Sequence, residues 1–167
     1  MRVLGIDPGS RITGYGCIDT AGSAPSLIEA GVFRLGESSV PLPQRLSVLQ
    51  DDLSDAIRRL SPDLVAVESV FSHTSWPAAA LVMAHARGVV LLLAQRAGVE
   101  LAEIPPAEIK KAVTGSGRAS KAQVRAAVEH ALSPGAPLSP ADVSDALAAA
   151  LAAPARAAHA ARVHSRG

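Results

Sequence analysis

A chain of 167 residues is long enough to bury one real core and too short for two large domains that close on a nucleotide. Its apolar share of 49% leans on alanine and only four residues are aromatic, so the core must rest on Leu, Val and Ile. A net charge of +1 makes bulk charge a weak argument for binding nucleic acid, and the single Cys17 excludes an internal disulfide and a cysteine-built zinc site and suits a reducing cytoplasm.

Arg2–Ile6 is a short apolar run ending at the turn Asp7-Pro8-Gly9-Ser10. The opening MRVLGIDPGS has no long apolar stretch and is expected to be no signal peptide. Thr13–Ile18 predicts a glycine-rich second strand and Leu27–Leu35 a third, with Gly22-Ser23-Ala24-Pro25 as the hairpin link. Leu42, Leu46, Leu49, Leu53, Ile57 and Leu60 fall at helical spacing. Asp63–Val67 is a compact β-type run ending at Glu68. Pro77–Ala97 predicts a long helix, apolar nearly all round and so buried on more than one side. His85, Arg87 and Gly88 interrupt it, which argues against a membrane span. Val99–Ile104 predicts a strand, Pro105-Pro106 opens a helix over Ala107–Val113, and Gly115-Ser116-Gly117 breaks the chain before a helix over Ser120–Leu132. Pro134–Pro140 reads as a linker and Ala141–Ala153 as the last helix.

Three strands with short links followed by helix–strand alternation predict an α/β fold. Its mixed five-stranded sheet has three antiparallel strands, then parallel ones, and helices flank it. VLGI and LVAV have the composition of central strands buried on both faces. One domain is expected over residues 1–153. Residues 154–167 form a basic, Ala- and Arg-rich tail without a packing pattern, expected to fray.

Two central strands each end in an acid, Asp7 and Glu68, and open α/β sheets bind ligands at the carboxyl ends of their strands. A bare carboxylate pair there repels itself unless a cation lies between, and hard oxygen donors select Mg²⁺ or Mn²⁺. Each acid also has a plain structural reading. Asp7 precedes Pro-Gly and suits a turn, and Glu68 could pair locally. Ser139-Pro140-Ala141-Asp142 matches a helix start with a Ser N-cap, Pro first and an acid third. Asp145 is harder to explain this way. It shares a helix face with Asp142 in a segment of Ala, Leu and Val, where an acid is costly unless it meets water or metal. The four together favour a metal site, and shared carboxylates holding two divalent ions serve phosphodiester hydrolysis. No Cys–His pair, GxSxG or P-loop lysine offers a competing centre.

Lys110, Lys111, Arg118, Lys121 and Arg125 lie between Ile109 and Ala127 with no acid among them. They are either a solvated helix face or a phosphate-binding run. Phe71 and Trp76 follow Glu68 in a polar loop. An aromatic residue is usually core, but Phe71 stacking on an unpaired base would be worth ~1–3 kcal/mol.

GIDPGSRITGYG (Gly5–Gly16), VESVF (Val67–Phe71), Arg87-Gly88 within HARG and DVSDALA (Asp142–Ala148), in this order and spacing, resemble the RuvC family of Holliday-junction resolvases over roughly Arg2 to Ala153. The resemblance implies a ribonuclease-H-like fold, a homodimer, Mg²⁺ or Mn²⁺, symmetric nicking of four-way junctions in recombination and repair, and work beside the RuvA–RuvB branch-migration complex. It places Asp7, Glu68, Asp142 and Asp145 on the family's catalytic acids. Lys110 and Lys121 fall on its basic positions, and Phe71 on its junction-facing aromatic. After Phe71 the segment SHTSWPAAALVMAHARG departs from the family's pattern, lacking Lys-Asn and Leu-Gly-Gln.

Three other readings compete. An actin-like kinase or ATPase shares the strand and Asp-x-Gly turn but needs two domains. A non-catalytic DNA-binding module would not keep four acids facing phosphate. A ribonuclease-H-type enzyme on RNA–DNA hybrid would use the same acids. A two-fold dimer matches a four-way junction's symmetry. The Pro77–Ala97 helix is its expected interface, with Ala78, Ala79, Ala80, Ala84 and Ala86 allowing close approach, unless other helices of the same chain cover that face.

Overall fold

The computed structural model describes residues 1–69, 77–135 and 137–164, the side chains of 77–79 and 158–164 excepted. Strands β1 (Arg2–Asp7), β2 (Ile12–Asp19) and β3 (Ser26–Arg34) form an antiparallel meander, and α1 (Leu42–Leu60) leads to β4 (Leu64–Glu68). Helix α2 (Pro77–Arg96) crosses to β5 (Glu100–Ile104), and α3 (Pro106–Thr114), α4 (Lys121–Leu132) and α5 (Ala141–His164) complete the chain. The sheet order is β3-β2-β1-β4-β5, with β1 parallel to β4 and β4 parallel to β5. This is the expected mixed five-stranded sheet.

Alternation along the central strands creates two cores, because successive side chains point to opposite faces. Leu4, Ile6, Cys17, Phe33 and Val65 pack with α1 and α2 through Leu49, Leu53, Ala86 and Val90. Val3, Ile18, Leu64 and Ala66 pack with α3, α4 and α5 through Ile109, Val128 and Leu147. Both cores are largely aliphatic, as the composition requires, with Phe33 stacked on Tyr15 in the first. Cys17 is fully buried, and burial pushes its thiol up to about 11.

Local chemistry sets the helix ends. Ser120 and Gln123 form a reciprocal capping box at the start of α4. Gly115, at φ 80°, closes α3 in the left-handed conformation that glycine adopts without penalty.

Two expectations are corrected at α5. Its helix starts at Ala141, so Pro140 lies just before it and not at its first position. It also continues past Ala153 to His164, with Pro154 inside. An interior proline costs ~3 kcal/mol by removing one hydrogen bond and crowding the preceding turn. Packing overrides that cost: Ala152 and Ala153 are buried, and Ala157 packs against the same core. Arg156 also reaches Glu108 on α3 at 3.1 Å.

Candidate active site

The last paired residues of β1 and β4 are Ile6 and Val67, so Asp7 and Glu68 stand side by side at the carboxyl edge. Asp7 continues the set Val3–Gly5, and Glu68 the set Leu64–Ala66; both acids therefore emerge on the α5 face. Helix α5 presents Asp142 and Asp145, three residues apart on one face. All four acids line one cleft of about 670 Å³, with Lys110 of α3, Lys121 at the start of α4 and Arg87 of α2.

The two strand-end acids, Asp7 and Glu68, are both raised, and burial is the first cause in each. Burial first, then the charges of Asp145, Asp142 and Glu68, push Asp7 up to about 7 against the opposing pull of Lys121. Burial and Asp145 likewise raise Glu68, against Lys121 and Lys110. The ammonium of Lys121 lies 3.0 Å from Asp145 Oδ2, and that contact raises its own pKa. Among the described residues no three acid, imidazole or thiol groups are preassembled as a cage for an ion. The positive partner of Asp145 is this lysine. The donors are carboxylate oxygens, one of which, on Asp7, is held protonated near neutrality by burial first and by its acidic neighbours second, and such a set fits a hard divalent cation.

Not every basic residue of the sequence run enters the cleft. Arg125 pairs with Glu129 along α4 at 3.0 Å, and exposed Arg118 lies outside the lining. Phe71 and Trp76 lie outside the described residues.

Two arginines that sequence reasoning leaves without a role support the site. Arg87 donates from Nε to the Glu68 carbonyl at 3.3 Å and pairs with Glu103, bracing the ends of β4 and β5. Buried Arg45 donates to the carbonyls of Ser10 and Val40, tying the start of α1 to the turn after Asp7. The motif HARG was the available signal for Arg87. Arg45, one of three arginines in an amphipathic helix, carried none.

The family model described as crossover junction endodeoxyribonuclease RuvC matches residues 3–153. The chain belongs to the RuvC family. The crossover junction endodeoxyribonuclease RuvC of Rhodopirellula baltica is 43% identical over 149 residues, 89% of this chain and 83% of its own. That of Alkalilimnicola ehrlichii is 46% identical over 151 residues, 90% of this chain and 88% of its own. Among solved structures, Thermus thermophilus RuvC in complex with Holliday junction substrate superposes with a TM-score of 0.87 at 30% identity, covering 96% of each chain. The sheet and its helices thus have the ribonuclease-H-like architecture of RuvC nucleases, and the chain is an endodeoxyribonuclease of that family.

Proposed function

We propose that this protein resolves four-way DNA junctions by metal-dependent hydrolysis, nicking two strands of like polarity symmetrically. The observation that carries the reading is the convergence of two strand-end acids, two helix acids and two lysines on one cleft in a RuvC-family chain. Asp7, Glu68, Asp142 and Asp145 would hold Mg²⁺ or Mn²⁺, two ions per site. Bound there, the ions supply a water activated near neutral pH and stabilise the charge on the leaving oxygen.

The chain's own groups do the rest. Lys121, which pairs with Asp145 here, would offer its charge to a phosphate once that carboxylate served an ion. Lys110 offers a second positive charge to the backbone, and Arg87 keeps the Glu68 main chain fixed. Phe71 stacks at the junction centre, and Arg118 and Arg125 make outlying phosphate contacts. The enzyme works as a cytoplasmic homodimer with RuvA–RuvB. Among the described residues no helix is long and apolar enough to cross a membrane.

The test is a nuclease assay with Mg²⁺ or Mn²⁺ on matched four-way junction, linear duplex and RNA–DNA hybrid, with Asp7→Asn as control. The junction should be cut in preference, in paired nicks. Preference for the hybrid would replace this reading with a ribonuclease-H-type one.

A further inference from the structure

The closest approach between the sheet and α5 falls at glycines of β1 and β2. A Cβ on Gly14 would lie 2.1 Å from the Asp142 carbonyl oxygen, 2.4 Å from its carbonyl carbon and 2.9 Å from its Cβ. A Cβ on Gly5 would lie 1.9 Å from Ala146 O and 2.9 Å from Ala150 N, between acceptor and donor of one helical hydrogen bond. These obstacles are helix backbone, which cannot rotate aside. Gly16 differs, since its nearest obstacle is the Leu147 side chain.

Gly14 has no conformational reason to be glycine. It is not among the glycines with positive φ, which are Gly36, Gly98, Gly115 and Gly135. It sits inside a strand, where glycine weakens the sheet. Space is what it provides, and the place is specific. Gly14 is the ladder partner of Asp7 and carries the main chain of Asp142 directly above it. One residue therefore touches the segments bearing a strand acid and a helix acid.

We infer that Gly14 is a positioning residue that sets how far Asp142 stands from Asp7. Any side chain there lifts the first turn of α5. Moving the Asp142 oxygen from 2.1 Å to the 3.0 Å minimum for a Cβ contact raises the helix by about 0.9 Å. Misplacement by about 1 Å can cost ~100-fold in rate. The inference rests on the reading that Asp7 and Asp142 share a cation.

The test is a double-mutant cycle of Gly14→Ala with Asp142→Glu, read by calorimetric titration of the full-length protein with Mn²⁺ alone. Junction binding in EDTA and circular dichroism accompany it, and an osmolyte holds weak variants folded. Gly14→Ala should weaken Mn²⁺ binding at least tenfold and leave junction binding within twofold. Asp142→Glu should weaken Mn²⁺ in the wild-type background but strengthen it in Gly14→Ala, because a side chain one methylene longer restores the lost reach. A purely structural glycine would show no such reversal.

Gly5→Ala lifts the same helix and provides a second background for the cycle. Gly16→Ala with Leu147→Ala removes its own clash and should bind Mn²⁺ as wild type does. Wild-type Mn²⁺ affinity in folded Gly14→Ala, or equal harm from Asp142→Glu in both backgrounds, overturns the inference. Mn²⁺ binding by Asp7→Asn as tight as wild type overturns the metal reading itself, and the purpose of the glycine with it.

Discussion

Asp7 carries the sharpest chemical consequence. Its carboxyl ordinarily titrates near 3.8 and is pushed up to about 7 here, chiefly by burial and then by Asp145, Asp142 and Glu68. Between those two values the folded protein holds a proton that the unfolded chain has released. Metal-free stability from this group is therefore full below 3.8, falls as pH rises through that window and is flat above about 7. The difference is on the order of 4 kcal/mol. Glu68, raised for the same first cause, adds in the same direction. Asp7→Asn removes the buried charge at constant size. In EDTA it should melt above the wild type at pH 8 and lose most of the wild type's gain in Tm on acidification. It should also abolish cleavage and keep junction binding. Thermal scans from pH 5 to 8 check the first expectation, and an Asp7→Asn enzyme with wild-type cleavage would remove Asp7 from the metal-binding set.

At the scale of elements, α2 shows both what patterning reveals and what it hides. Ala86, Val90 and Ala94 are buried against α1 and the sheet, so Ala86 serves its own core and is not free for a partner helix. On the opposite side Leu81 is 62% and Leu92 54% exposed, with Ala84, His85 and Gly88 exposed between them and open space around Gly88. A stripe that is apolar but for His85, with a glycine at its middle, suits a two-fold helix contact. Leu92→Glu should leave the monomer's Tm within about 1 °C, because the side chain is surface-exposed. It should convert the proposed dimer to a monomer in sedimentation, and on a cruciform plasmid single nicks should accumulate in place of paired ones. A dimer that survives the charge would move the interface elsewhere.

The elements themselves were legible because each carried a local signal: short continuous apolar runs ending in Asp7 and Glu68, and helical spacing in α1. The side of the sheet on which the acids meet was not legible, because both strands are buried on both faces and carry no polar alternation to mark one. The continuation of α5 past Pro154 was not legible, since it depends on Ala153 and Ala157 reaching a core built by distant residues. The links from Arg87 to Glu68 and from Lys121 to Asp145 likewise span 19 and 24 residues that no local pattern joins.

For the whole molecule, the near-neutral total charge of +1 conceals a local division. Four acids line one cleft, while Lys110 and Lys121 line it from separate helices. Affinity for DNA must then come from a few placed cations and not from a general field. Lys110→Ala with Lys121→Ala should reduce the slope of log K against log salt by up to about 2 and weaken junction and duplex alike. Binding isotherms at several salt concentrations measure this, and an unchanged slope would return both lysines to ordinary solvation.

The one cysteine, sealed beneath α1 and α2, gives the molecule a built-in stopwatch. With its thiol raised to about 11 and no accessible surface, Cys17 is inert to a disulfide reagent at neutral pH while the sheet is closed. Labelling must wait for an opening that exposes the middle of β2, so its rate counts such openings. A cation bound only by the closed form should slow labelling by the factor 1 + [Mn²⁺]/Kd. The thiol therefore reports occupancy of a cleft at the carboxyl edge of the sheet that it does not line, in a protein that has cut no DNA. The same titration on Asp7→Asn should show no slowing.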